Sequence, residues 1–84
     1  MASNIQVTIL YFAQVREATK VKRETLELSN NASVMDLLLI IRSRYPKLKN
    51  INDFNTSVNY KLVDSRAILR DKDEVALLPP ISGG

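Results

Sequence analysis

The sequence contains neither cysteine nor histidine among its 84 residues. Without cysteine, the chain has no disulfide, no thiolate metal ligand and no cysteine nucleophile. Without histidine, it has no imidazole general base and no catalytic triad that depends on one. If the protein takes part in catalysis, we therefore expect it to serve as a substrate, a carrier or a subunit, and not to be catalytic alone.

Long apolar runs are also missing, since no stretch reaches the roughly 18 residues that a membrane-spanning helix requires. The segment Met1–Asn4 lacks the charged and apolar regions of a secretory signal. These absences predict a cytoplasmic protein with no membrane contact. The formal net charge is only +3 and no aromatic residues alternate with the basic ones, so we expect no nucleic-acid partner.

A chain of 84 residues is the size of one domain, and we expect a single domain over residues 1–84. Its first strong pattern is a strict alternation over Ile5–Phe12, which predicts a strand. The core face of that strand carries Ile5, Val7, Ile9 and Tyr11. Ala13–Lys20 is interpreted as a loop with at most one helical turn. Lys22–Leu28 predicts a second, polar edge strand that forms a hairpin with the first.

The next pattern has helical spacing and begins at Ser33, with Asp36 three residues later as in a capping box. Pro46 ends the predicted helix at about Arg44 or Tyr45. Two further apolar residues, Leu39 and Ile40, widen the stripe and predict a well-buried helix. The core positions of this helix are Val34, Leu37, Leu38, Ile41 and Tyr45.

Strand signals return in the C-terminal third of the chain. Alternation over Ser57–Leu62 predicts a third strand, and Arg66–Leu69 a short one. A turn at Asp71–Asp73 precedes the last strand, Glu74–Leu78, which Pro79-Pro80 ends because proline cannot donate to a ladder. The resulting ββαβ(β)β order predicts an α+β fold in two layers. It fits the β-grasp, or ubiquitin-like, arrangement: a mixed sheet of four to five strands, covered by one main helix.

The chain has two glycines, and both stand at its end as Gly83 and Gly84. No predicted turn contains a glycine, although glycine is common in turns because it adopts positive φ without strain. Glycine lacks Cβ, so a glycine tail threads a narrow channel in almost any backbone conformation. Extended, residues 81–84 span at most about 13–14 Å, which is enough to reach into a neighbouring protein's active site. We therefore expect a flexible tail over residues 81–84 whose terminal carboxylate is activated and then used.

Three segments carry a resemblance to a known family. They are, in one-letter code, FAQVRE at 12–17, VN at 58–59 and DKDEVALLPPISGG at 71–84. They resemble the small, sulfur-carrying subunit of molybdopterin synthase, the MoaD family, whose PPxxGG ending is the most specific part. Two departures stand out. Lys72 lies where the family commonly has glycine, and a non-glycine residue there costs about 1–2 kcal/mol, which allows for a rearranged turn. Leu77-Leu78 replaces residues that are often aromatic.

The resemblance implies a mechanism in which the Gly84 carboxylate reacts and Gly83 keeps the tail slender. An E1-like adenylating enzyme would use Mg-ATP to form an acyl-adenylate at Gly84, so this chain itself would bind no cofactor and no metal. A sulfur donor protein would then leave a thiocarboxylate. The large subunit of molybdopterin synthase, as a heterotetramer with this chain, would use that sulfur on cyclic pyranopterin monophosphate in molybdenum cofactor biosynthesis.

A docking surface is predicted next to the tail. In a β-grasp fold the first and last strands are parallel neighbours, so their outward-facing apolar residues meet at the end where the tail begins. We expect this surface to contain an exposed Leu78 beside Leu10 and Phe12. The alternative is that segment 13–20 covers Leu10 or Phe12. The further residues assigned to partner binding are Pro79, Pro80, Ile81, Ser82 and, from its place in the family-like segment, Arg16.

Three other functions remain open from the sequence. The protein could be a ubiquitin-like modifier that is joined to lysines through Gly84. It could be a sulfur carrier of the thiamine type, which shares the fold and the terminal glycines. It could also be a plain β-grasp interaction module that uses its basic faces, Lys20–Arg23 and Arg42–Lys49.

Overall fold

The computed structural model describes residues 4–48 and 54–78, which form five strands and two helices. The elements in chain order are β1 (Asn4–Tyr11), α1 (Ala13–Thr19), β2 (Arg23–Ser29), α2 (Val34–Arg44), β3 (Asn55–Val58), β4 (Lys61–Val63) and β5 (Glu74–Leu78). Neither helix of this described part has the length and apolar content needed to cross a bilayer. The predicted tail over residues 81–84 lies outside the described residues.

The five strands form one mixed sheet in the order β2-β1-β5-β3-β4. β1 pairs antiparallel with β2 and parallel with β5, while β3 pairs antiparallel with both β5 and β4. The first and last strands therefore lie side by side in the middle of the sheet, and β2 lies at an edge. This arrangement confirms the predicted β-grasp class and the edge position of the second strand.

The core lies between α2 and one face of the sheet, as the strand alternation predicted. All four inward residues of β1 are buried, and Ile9 is fully inaccessible. On β5 the alternation places Val75 and Leu77 in the same core, both with no exposed surface. The buried residues of α2 are Val34, Leu37, Leu38 and Ile41. One contiguous apolar cluster therefore joins the helix to the two central strands.

The start of α2 is fixed by the predicted capping box. The Ser33 hydroxyl accepts a hydrogen bond from the Asp36 backbone N–H at 3.2 Å, and the Ser33 N–H donates to the Asp36 carboxylate at 2.9 Å. The predicted burial of Leu39 and Ile40 is wrong, because they are 52% and 39% exposed. The sheet covers one side of α2, and within residues 4–48 and 54–78 no element covers the side that carries Leu39 and Ile40.

Three other predictions about local structure need correction. Residues 13–19 form the helix α1, not a loop, and its Val15 is fully buried. The third strand is a hairpin of β3 and β4, because Asn59 and Tyr60 both adopt positive φ and reverse the chain. The short strand predicted over Arg66–Leu69 is a single bridge between Ile68 and Ser33, made by a loop that crosses the start of α2.

The turn at Lys72 keeps the left-handed conformation that a glycine would adopt freely. Lys72 has φ 71°, so it adopts the left-handed conformation that was expected at this position, and the turn is not rearranged to avoid it. The turn is held against β1, because the Lys72 N–H donates to the Gln6 carbonyl at 2.6 Å. The Gln6 N–H in turn donates to the Asp71 carboxylate at 2.8 Å. These bonds impose a positive φ on a residue whose Cβ opposes it.

We expect Lys72→Gly to raise the free energy of unfolding by about 1 kcal/mol, because it removes the Cβ that opposes positive φ. Urea unfolding followed by circular dichroism measures this change. Lys72→Ala is the matched control, since it removes the charge and keeps the Cβ. A stabilisation of equal size in both variants would show that the charge of Lys72, and not its backbone conformation, is unfavourable.

Candidate functional site

The outer face of the sheet, opposite α2, carries a line of side chains across four strands. Leu10 of β1 pairs with Ala76 of β5, and Ala76 pairs with Ser57 of β3. Ser57 pairs in turn with Leu62 of β4. Residues that pair directly across strands point to the same face of the sheet. These four side chains therefore form one continuous surface of small and apolar residues.

An open groove of about 420 Å³ runs along this outer face. Phe12 is 43% exposed and Leu62 is 70% exposed, which leaves substantial apolar surface facing solvent. The residues that line the groove are Leu10, Phe12, Ser57, Tyr60, Leu62, Glu74, Ala76 and Leu78. An apolar surface of this kind at the sheet face is typical of a protein-docking site.

Four residues predicted to bind a partner are described, and the structure brings three of them together in the groove: Leu10, Phe12 and Leu78. Leu78 is half-buried, not freely exposed as expected, because it packs within the groove lining. Segment 13–20 does not cover Phe12, which is 43% exposed, and none of its residues lines the groove; Leu10 is half-buried. The other predicted site residues, Pro79, Pro80, Ile81, Ser82, Gly83 and Gly84, lie outside the described residues.

The groove also contains residues that the sequence analysis missed, chiefly Tyr60 and Leu62. The alternation across Ser57–Leu62 was interpreted as one strand, which assigned Val58 and Leu62 to the same face. In the hairpin, Val58 packs against the core while Leu62 takes the outer face. The missed signal is Asn59, since asparagine is common in two-residue hairpin turns with positive φ.

Arg16 lies apart from the groove, on α1. With Lys20 and Lys22 it lines a separate shallow hollow of about 520 Å³, in which Glu17 is the only acidic residue. The hollow begins at Ala13, immediately after Phe12 of the groove. Arg16 is exposed but does not line the groove, so its contact with a partner stays a prediction.

A polar cluster at Glu24 supports the groove from the core side. The Glu24 carboxylate accepts hydrogen bonds from the Tyr11 hydroxyl at 2.5 Å and from the Tyr45 hydroxyl at 2.8 Å. It also accepts one from Arg44 at 3.1 Å. The Glu24 side chain is only 14% exposed, so its carboxylate has little access to water and is satisfied by hydrogen bonds from protein donors. Hydrogen bonds to a charged group of this kind are stronger than those between neutral groups. The cluster joins β1, β2 and the end of α2, and so fixes the backbone that carries Phe12.

Both tyrosines of this cluster have altered acidity. Burial raises the pKa of the Tyr11 hydroxyl well above its ordinary value, and its hydrogen bond to the Glu24 carboxylate raises it further. Burial and the same carboxylate also raise the pKa of Tyr45. An ionised phenolate would lose its donated hydrogen bond and would repel Glu24. Both side chains therefore act as neutral donors that hold the cluster together.

Comparison with known proteins places the chain among small β-grasp carriers. The ThiS family model matches residues 9–84. A Chlamydomonas reinhardtii protein named molybdopterin synthase sulfur carrier subunit is 37% identical over 83 residues, which cover 95% of this chain and all of the relative.

Two solved structures share the fold closely. A Pyrococcus furiosus protein described as molybdopterin converting factor subunit 1 has a TM-score of 0.84 at 32% identity, covering 92% of this chain and 99% of its own. The small archaeal modifier protein 1 from Methanosarcina acetivorans has a TM-score of 0.82 at 27% identity, covering 98% and 99% of the two chains.

The raised pKa of Tyr11 predicts a loss of stability in alkali. Above about pH 10 the unfolded chain releases the Tyr11 proton while the native state retains it, so stability falls as pH rises further. In Tyr11→Phe this contribution is absent, and we expect a smaller loss of unfolding free energy between about pH 9 and about pH 12. Tyr60→Phe, with a 90% exposed side chain, is the control. Identical pH profiles for wild type and Tyr11→Phe would contradict the assignment.

Proposed function

Because this chain belongs to the ThiS family, we propose that it is the sulfur-carrying small subunit of molybdopterin synthase. The name of its Chlamydomonas relative supports this choice, because the two proteins match over almost their whole lengths. The double proline before the terminal glycines favours it over a sulfur carrier of the thiamine type.

The reaction that we propose uses the α-carboxylate of Gly84. A carboxylate oxygen attacks the α-phosphorus of ATP on an E1-like enzyme, which releases pyrophosphate and forms an acyl-adenylate. A sulfur donor protein supplies hydrosulfide, which attacks the acyl carbon, displaces AMP and leaves the Gly84 thiocarboxylate. In the large subunit the thiocarboxylate sulfur bonds to a carbon of cyclic pyranopterin monophosphate, and water then cleaves the resulting thioester and restores the Gly84 carboxylate. Two such transfers complete the dithiolene of molybdopterin. Since activation consumes Mg-ATP, we place these steps in the cytoplasm.

The position of the groove is the observation that carries this proposal. β5 forms the floor of the groove, and its last residue, Leu78, precedes Pro79-Pro80 and the tail at residues 81–84 in the sequence. A partner that docks on the groove is therefore held beside the start of the tail. Docking of this kind raises the effective concentration of the carboxyl terminus at the partner's active site. A chain without cysteine or histidine thus contributes a positioned acyl group, and its partners contribute the catalytic groups.

A protein-modifier role is the second candidate. It is favoured by the close structural similarity to the small archaeal modifier protein 1. Activation at Gly84 would be common to both roles, and only the acceptor differs: a sulfur atom in one case, a lysine amine of a target protein in the other. Detection of Gly84 joined to lysine side chains in cell extracts would assign the modifier role.

The docking groove is tested by a charge placed in its floor. We expect Leu78→Asp to weaken binding to the large subunit of molybdopterin synthase by at least about tenfold, because the carboxylate must be desolvated in an apolar contact. Isothermal titration calorimetry measures the dissociation constant. Leu39→Asp is the matched control, since Leu39 is exposed on α2, in the opposite layer of the fold. An unchanged dissociation constant for a folded Leu78→Asp would remove the groove from the interface.

The chemistry is tested at the terminus itself. Protein isolated from cells that contain the activating enzyme should show an oxygen-for-sulfur mass gain on its C-terminal peptide. Deletion of Gly83-Gly84 should abolish that gain and leave the fold intact, because the described strands and helices all lie between Asn4 and Leu78. A homogeneous unmodified carboxylate in the full-length protein under these conditions would refute the carrier role.

A further inference from the structure

Tyr60 stands at the tip of the β3–β4 hairpin in an unusual state. Its side chain is 90% exposed, the largest fraction among the exposed large hydrophobic residues of the described chain. Its backbone φ is 75°, in the left-handed region that glycine or asparagine adopts with least strain. Glycine is the residue most often found at this position of a two-residue hairpin turn. Position 60 therefore carries a large, solvent-exposed aromatic residue, although glycine or asparagine there would make the protein more stable.

The hairpin tip is held in place by Asn59. The Asn59 N–H donates to the Glu74 carbonyl at 2.8 Å, and the Glu74 N–H donates to the Asn59 side-chain oxygen at 3.0 Å. The Asn59 side-chain amide donates to the Asp73 carboxylate at 2.9 Å. These bonds fasten the turn to the start of β5. The strained backbone of Tyr60 is therefore part of a fixed frame, and strain held in this way is characteristic of functional positions.

Tyr60 also occupies a defined place in the docking groove. It lines the groove near Glu74, at the first residue of β5, while Leu78 lies at the last. Glu74 and Leu78 are four residue steps apart along the strand, which is about 13 Å. Tyr60 is thus the lining residue that projects most freely at the end farthest from the tail. A tyrosine ring brings a large apolar area with one polar atom and few rotatable bonds, as interface anchors do.

We propose that Tyr60 is an anchor residue that inserts into an apolar pocket of the large synthase subunit and sets the register in which the tail enters. This inference rests on the proposed function and on the continuity of Tyr60 with the groove. The pocket has an apolar wall for the ring and, at its base, a polar atom or water for the hydroxyl. With Leu78 bound at one end and Tyr60 at the other, the groove has two fixed points, which define the direction of the tail.

The test separates binding from stability. Tyr60→Gly and Tyr60→Asn both remove the ring, and both place at position 60 a residue that tolerates positive φ. We expect each to bind the large subunit at least about tenfold more weakly, while the Tm of the free protein stays equal or rises. Tyr60→Phe keeps the ring and should bind within about threefold of wild type, the difference of one hydrogen bond.

The outcomes are read against Leu78→Asp in the same calorimetric assay. If Leu78→Asp weakens binding and the two small-residue variants bind within tenfold of wild type, the groove is the interface and Tyr60 is not its anchor. If neither position affects binding, the docking surface of the proposed function is wrong as well. A fall in Tm that accompanies lost affinity in both small-residue variants would also overturn the proposal, because it would assign Tyr60 a structural role.

Discussion

The parallel pairing of β1 with β5 is the contact on which the rest of the molecule depends. It joins residues 8–11 to residues 74–77, two segments from opposite ends of the chain. On the core face it stacks Ile9 beside Val75 and Tyr11 beside Leu77, all of them buried. On the outer face the same register sets Leu10 beside Ala76 and so forms the groove. A slip of one residue would exchange the two faces and bury the groove's side chains in place of the core's.

The two faces of the β1–β5 pair differ in how they are covered. The core face is stabilised by α2 and by the Glu24 cluster, whose tyrosines remain neutral donors because burial and the carboxylate raise their pKa values. The outer face keeps half-buried and exposed apolar residues and has no covering element among the described residues. The packed core thus lies on one side of the sheet, and the residues of the proposed docking groove lie on the other.

Much of the fold was predictable from long patterns, and the exceptions have physical causes. β1, α2 and β5 were found because alternation, helical spacing and a capping box extend over enough residues to be unambiguous. α1 was missed because seven residues with a single fully buried apolar side chain, Val15, show no period. The β3–β4 hairpin was missed because alternation continues unbroken through its turn. Leu10, Phe12 and Leu78 of the groove were predicted because they lie in or beside β1 and β5, which were found. Tyr60 and Leu62 were not predicted because they lie in the hairpin that was missed.

The position of β5 between two neighbours also determines how the protein responds to force. β1 and β3 flank β5 on both sides. A pull on the C-terminal end of β5 along the strand axis therefore loads both hydrogen-bonded ladders in shear, so their bonds resist together and do not open one after another. An edge strand with the same tail would be peeled from the sheet. With the last strand in the middle of the sheet, the fold resists unfolding when a partner binds and pulls the C-terminal segment, as the proposed function requires.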